Sequence, residues 1–313
     1  MGLQGREIID AIRISDGTAV MIKKVPYRPG SREVKIATIL SSPENLKDRR
    51  NHCIPILDSF HDTIDDPRLV FLVMPKLHSS NDPHPKSVGD VVEFMRQTLE
   101  GLEFMHGRDI AHRDISLASI MVDSDTRKQS LQHSISEKTN TNHVRYFISN
   151  FESCQDLNTL PTFKSVAAVP ERGQYPPELS GDNDVPFSGD VFALGTLFKK
   201  NFITPYSNFD TLIPLIKQMT ARDPKKRPSM AVARSRFEML VRNWNGSTLR
   251  WRLRPTHEKI GPRFVRTCAA IVREVLHLPS RVATSASLLM KQQSLRFLTK
   301  VHYAFRPYQI ATF

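Results

Sequence analysis

Between residues 91 and 123 the hydrophobic period of the chain changes from helical to strand-like, and a charged triplet sits at the change. Val92, Met95, Leu99, Leu102 and Met105 recur every three or four residues, the spacing of one helix face, and His106-Gly107 ends the run. Ile120-Met121-Val122 reads as a short apolar strand. Between them lies Ala111-His112-Arg113-Asp114-Ile115-Ser116. Any fold open to this chain has to place a helix, a polar loop and a strand in immediate succession.

The rest of the chain narrows the class. Its 313 residues suffice for one two-lobed domain plus an appendage, and 40% hydrophobic content suits a globular core. No apolar run is long enough to span a bilayer, and the N-terminus lacks a charged-then-apolar signal pattern. Met1-Gly2 is followed by Arg6 where a myristoylation signal has Ser or Thr. Cys53, Cys154 and Cys268 are odd in number and scattered, which argues for a reducing compartment, cytoplasmic or nuclear. The net charge is +12, and from residue 242 onward thirteen Lys and Arg face two Glu. Eleven of the twelve excess charges therefore lie in the tail, and the part before it is nearly neutral.

Ahead of the helix, Ile8 to Ile14 reads as a strand, Asp16-Gly17 as a tight turn and Thr18 to Val25 as the return strand. Ser31 caps a helix running to Leu40, with Glu33 in its first turn. Ile54 to Leu57 and Leu69 to Met74 read as two more strands, completing a small antiparallel sheet. His78 to Ser87 is a polar, Pro-rich connection. Ser124 to His143 is a polar insertion, and Val144 to Ile148 a further strand.

His112-Arg113-Asp114 before an Ile-Met-Val strand resembles the catalytic loop of the protein kinases, H-R-D-L-x-x-x-N. Val20-Met21-Ile22-Lys23 resembles V-A-I-K, and Ser149-Asn150-Phe151-Glu152 occupies the place of D-F-G. Tyr175-Pro176-Pro177-Glu178 resembles A-P-E, and Asp190-Val191-Phe192-Ala193-Leu194-Gly195 resembles D-x-W-x-x-G. Asp223-Pro224-Lys225-Lys226-Arg227-Pro228 resembles D-P-x-x-R-P. The resemblance covers about residues 8 to 242 and implies an α+β, two-lobed kinase-like fold. Residues 1–77 form a sheet-based small lobe, 78–242 a helical large lobe and 243–313 a basic, partly helical extension.

The resemblance also assigns roles. Asp114 is the base that takes the substrate hydroxyl proton, flanked by His112 and Arg113. Lys23 contacts nucleotide phosphates and pairs with Glu33, which otherwise is a first-turn carboxylate favoured by the helix dipole. Met74 and Leu77 border the hinge that receives adenine. Ser153, Thr159, Thr162 and Ser165 are candidate phosphosites of the activation segment, and Glu178 is expected to pair with Arg227.

The departures bear on metal chemistry. Asn150 stands where the family has the metal-binding Asp, and Ser119 where it has Asn. Both are neutral, and Glu152 is the carboxylate closest in sequence, aimed like Asn150 if the backbone is extended. Ser116 replaces a Lys beside the base. Gly2 and Gly5 are all that remains of a Gly-rich loop, so the backbone donors that would cradle phosphates are missing. The expectation is a pseudokinase, an interaction or regulatory module that binds ATP weakly or not at all and does not bind magnesium. The alternative is a weakly active Ser/Thr-type kinase with an altered metal site. A protein partner or substrate is implied but not identified. Phe264, Val265, Cys268, Ile271, Val272, Val275 and Leu276 form a helical stripe among arginines. That helix either docks on the large lobe or meets an anionic membrane surface, with nucleic acid the least favoured partner.

Overall fold

A computed structural model describes residues 8–26, 32–61, 68–80, 84–123, 144–158, 177 and 186–258. Several expectations lie outside these residues: Gly2 and Gly5, the Ser31 cap, the 124–143 insertion, Thr159, Thr162 and Ser165, Glu178 with its pairing to Arg227, and the stripe from Phe264 to Leu276.

The small lobe is an antiparallel sheet with one main helix. Strands β1 (Ile8–Ile12), β2 (Ala19–Pro26), β3 (Asp58–His61) and β4 (Leu69–Pro75) lie in the order β1-β2-β4-β3. The β1–β2 turn forms at Asp16-Gly17 as expected, with Gly17 at φ 71°, a conformation that glycine adopts without steric cost. Helix α1 (Arg32–Leu40) and the short α2 (Pro43–Lys47) follow. Ile36, Ala37 and Leu40 of α1 are buried, as its apolar spacing requires.

Residues 54–57 do not form the expected strand. Ile54 instead donates its N–H to the carbonyl of Ile148 (2.8 Å), and the N–H of Ile148 bonds His52 (2.6 Å), so this apolar run joins the small lobe to the large one. Sheet pairing begins later, at Asp58, where β3 meets β4. Period and composition cannot separate a buried extended connector from a strand, because both bury alternate apolar residues.

The large lobe is built on α3 (Val88–His106), which begins three residues before the expected Val91. Ser87 and Asp90 form a capping box there, with Asp90 N–H to Ser87 Oγ at 3.2 Å and Ser87 N–H to Asp90 Oδ2 at 3.0 Å. Then come β5 (His78–Ser79, preceding α3), β6 (Ile110–Ala111), β7 (Ile120–Val122), β8 (Tyr146–Ile148) and β9 (Gln155–Asp156). They pair as β5-β7-β8 and β6-β9. Helices α4 (Pro186–Phe198), α5 (Ile213–Met219), α6 (Met230–Val241) and α7 (Gly246–Arg250) complete it. Val91, Met95, Leu99, Leu102 and Met105 on α3 are all buried, together with Leu194 and Phe198 of α4 and Phe237 of α6. Gly101 lets α3 approach its neighbours closely, since a Cβ there would stand 2.8 Å from Ile148 Cδ1 and 2.9 Å from His52 Cβ.

Part of the basic extension packs on this lobe. Trp251 O accepts from Val88 N–H (2.9 Å), Arg254 O from Ser207 N–H (3.0 Å), and Pro205 O from Thr256 N–H (2.8 Å). Residues 251–256 thus strap the start of α3 to the 204–208 turn.

Candidate active site

On β2 the side chains alternate, and Lys23 turns to the buried side with Met21 and Val25 while Lys24 faces the other way. Glu33, in the first turn of α1, is buried opposite it, and the two form an ion pair. Neither charge would be tolerated at that depth without the other. Helix α1 has a second polar tether two residues after Glu33, Lys35 Nζ to Asp156 Oδ2 on β9 (3.1 Å). Met74 and Leu77 are buried where β4 leaves the sheet, and Met74 lies in register with Met21.

The His112–Ser119 loop is held from beneath by one carboxylate. Asp190, fully buried on α4, accepts the backbone N–H of His112 on Oδ2 (2.8 Å) and that of Arg113 on Oδ1 (2.7 Å). His106, at the end of α3, places Nε2 2.9 Å from Asp190 Oδ2. Burial alone would raise the Asp190 carboxyl, but the hydrogen bond with His106, the nearby imidazoles of His106 and His112 and the His112 N–H outweigh it and hold it below the usual value. Arg113 adopts φ 67°, uncommon for a side chain of its size. Its guanidinium bonds the side chain of Gln155 on β9.

His112 is wholly buried, and burial pushes its pKa down. Nε2 donates to the carbonyl of Ser149 (3.0 Å), which leaves Nδ1 to accept the N–H of Asp114 (3.3 Å). The ring packs edge-on to Phe151, with centroids 6.3 Å apart. A neutral histidine with both nitrogens engaged thereby fixes Asp114, itself buried, against the strand end that carries Asn150.

Asn150 stands beside Asp114, its Nδ2 3.5 Å from Asp114 Oδ2. It adopts φ 67° and ψ 74°, a left-handed conformation that Asn and Asp accept more readily than other side chains. Its Oδ1 is buried and accepts no hydrogen bond. Phe151 to Ser153 then form a 3-10 turn, not the extended chain on which Glu152 would share the direction of Asn150. Phe151 is buried and Glu152 exposed, so the turn spends its apolar residue on the core and leaves the carboxylate outside.

Ser119 reaches the site by position but not by its hydroxyl. Its Oγ accepts from Ser116 N–H (3.0 Å) and donates to Ser116 O (2.9 Å), closing a 3-10 turn over Leu117–Ser119. Its carbonyl accepts from Ser149 N–H (2.8 Å) and Ser149 Oγ (3.2 Å). The residue that a position count marks as a metal ligand serves here to tie loop to strand. Cys53 and Cys154 are buried, and burial raises both thiols above their ordinary range.

The structure thus brings Lys23 to Glu33, the pairing that the resemblance implied, and also sets Asp114 beside Asn150. It adds two residues to the site, Asp190 and His106. The signal for Asp190 was a carboxylate within an otherwise apolar helix, where burial demands several donors. His106 read only as a helix stop.

A family model described as "Protein kinase domain" matches residues 5–210. The chain is similar to Mitogen-activated protein kinase 12 of Homo sapiens, 27% identical over 151 residues that make up 46% of this chain and 41% of that protein. It is also similar to Mitogen-activated protein kinase sma-5 of Caenorhabditis elegans, 23% identical over 237 residues, 70% of this chain and 43% of that protein. The matched stretches amount to about two fifths of the length of these relatives.

Proposed function

Because the chain belongs to the protein kinase domain family, we propose that it is a pseudokinase: a kinase fold serving as an interaction or regulatory module, with metal-dependent phosphoryl transfer lost or nearly lost. One observation carries this reading. The two positions from which the family holds its metal offer a neutral amide at Asn150 and a hydroxyl at Ser119 already bonded to Ser116.

Phosphoryl transfer asks the protein for positioning and for charge neutralisation by magnesium. Magnesium demands near-octahedral oxygen ligands and is usually held by one or two carboxylates besides the phosphates. Asn150 Oδ1 could be one such oxygen, but it brings no charge, and Glu152 is exposed on the 3-10 turn. Among the described residues no cluster of three or more His, Cys, Asp or Glu suits a metal ion. These donors fit magnesium poorly. Bound magnesium would neutralise phosphate charge, and without it Lys23, already paired with Glu33, is the principal cation facing a nucleotide's phosphates. ATP accordingly binds weakly or not at all, and magnesium adds little.

A second reading, a weakly active Ser/Thr-type kinase, has its own support in the buried Lys23–Glu33 pair and the well-held Asp114. Thermal unfolding with ATP, with and without magnesium or manganese, together with transfer to a generic protein substrate, separates the two. The pseudokinase reading expects a small, metal-independent shift and no transfer. A working site would add about 2.7 kcal/mol at a hundredfold excess over Kd. Transfer by the wild type that Asp114→Ala abolishes would replace this reading with the second.

A further inference from the structure

The α5–α6 hairpin concentrates positive charge that the preceding sequence does not share. Residues 1–241 sum to +1, yet residues 213–241 hold seven Lys and Arg against Asp223 and Glu238. The first 212 residues are therefore net −4 and this one hairpin +5. Charge so segregated creates a field on one face that the total conceals.

The charges sort by what they do. Arg227 is buried and structural, with Nε on Ala221 O (2.8 Å) and Nη1 on Ser188 O (3.1 Å). Arg234 pairs with Glu100 (3.0 Å) and Glu103 (2.8 Å), and Glu238 with Arg96 (2.9 Å). What remains on the surface is Lys217, Arg222, Lys225, Lys226, Arg236 and, just past the helix, Arg242. Asp223 is the one exposed carboxylate of the hairpin among the described residues, and its Oδ1 caps Lys225 N–H (3.0 Å). Arg236 bonds the side chain of Gln218, the neighbour of Lys217, so the cations of the two helices belong to one patch.

Two large apolar side chains stand within it. Helix α6 buries Met230, Ala233, Phe237 and Val241, and on its opposite face Val232, Arg236 and Met239 recur at steps of four and three. Val232 is 41% and Met239 69% exposed. The outer face of a helix is convex, and a flexible methionine three residues from Arg236 and from Arg242 suits a planar anionic surface. Lysine presents a mobile point charge that asks no fixed geometry of a headgroup, and apolar side chains between cations can enter the headgroup boundary.

We propose that the outer face of the α5–α6 hairpin docks the protein on an anionic lipid membrane. This surface is distinct from the nucleotide cleft and from the residues after 242, and it operates whether or not the cleft transfers phosphate. The full chain is tested by co-sedimentation with phosphatidylcholine vesicles containing phosphatidylserine, and with pure phosphatidylcholine. Lys225→Glu with Lys226→Glu lowers the partition coefficient by roughly tenfold or more on the anionic vesicles. Lys47→Glu with Arg49→Glu, an equal change of net charge at exposed small-lobe positions, changes it by no more than about twofold. Met239→Ser weakens binding severalfold while the salt dependence stays as in the wild type. All the substituted positions are exposed, and unchanged unfolding temperatures verify that the variants fold. Equal losses in the two double variants overturn the proposal, because total charge alone would then govern binding. Undiminished binding of the Lys225/Lys226 variant overturns it in favour of the residues after 242, and failure of the wild type to bind either vesicle overturns it in favour of an acidic protein.

Discussion

The loop that carries Asp114 is gripped on two sides, and the two grips differ in kind. Beneath it, Asp190 is a buried carboxylate that accepts two backbone N–H groups and meets the ring of His106. Above it, Asn150 is a partly buried amide with a long contact to Asp114 and an oxygen that accepts nothing. The lower side is over-determined and serves the fold, which would lose several bonds at once without it. The upper side is under-determined, and the fold tolerates a neutral residue there because little packing depends on its charge. A family architecture can therefore accommodate a change of charge on this side of the loop.

The strongest way to break this comparison is to remove the lower grip. Asp190→Ala should cost about 3–5 kcal/mol in urea unfolding, since two backbone donors and His106 lose their partner in a buried setting. A loss below about 1 kcal/mol would mean that the loop stands without it. The sign of the pH dependence is fixed as well. The Asp190 carboxyl is held below its ordinary 3.8, so its contribution is whole above that value and fades as the pH falls through the lower, folded value. Wild type and Asp190→Asn should then converge in stability towards strong acid.

The upper grip is tested by restoring charge. Asn150→Asp is compatible with the left-handed backbone, and it sets a second carboxylate beside Asp114. Without metal the variant should unfold at a lower temperature than the wild type. Magnesium with ATP should reverse that by about 2–3 kcal/mol at concentrations well above Kd. An unchanged response to magnesium would mean that the neutral amide is not what limits the site.

Ser119 sharpens the contrast at smaller scale. Ser119→Ala removes the acceptor for Ser116 N–H and should cost about 1 kcal/mol without altering any response to magnesium. If it altered that response, the hydroxyl would be serving the metal site after all. The smallest effect is expected at Lys35, whose side chain is 52% exposed. A double-mutant cycle of Lys35→Ala with Asp156→Ala should yield a coupling of about 0.2–1 kcal/mol that fades with added salt.

Much of this was legible in the sequence, and the reasons are physical. Lys23, Glu33, Asp114 and Asn150 were readable because they stand in stretches that resemble protein kinase motifs, and the apolar runs beside them decide where chain elements lie. The sheet and the helical lobe were readable from hydrophobic period for the same reason. What escaped were bonds between polar groups distant in the chain. His106 and Asp190 are 84 residues apart, and no local pattern links them. The hydroxyl of Ser119 was read by position as a ligand, although a serine three residues from Ser116 can equally close a local turn. Glu152 was placed on an extended chain, which the left-handed turn at Asn150 prevents. The strand expected at 54–57 failed because its backbone partner, Ile148, belongs to another sheet.

The close seating of Gly101 has a mechanical consequence. It presses α3 against His52 and Ile148, at the place where the 52–54 connector exchanges backbone bonds with β8. The small lobe is fastened to the large one here, at the chain crossing at 75–77, through Lys35 to Asp156 and through Arg108 to Asn45. A side chain at residue 101 would act as a wedge at the first of these joints, forcing the 52–54 connector away from α3.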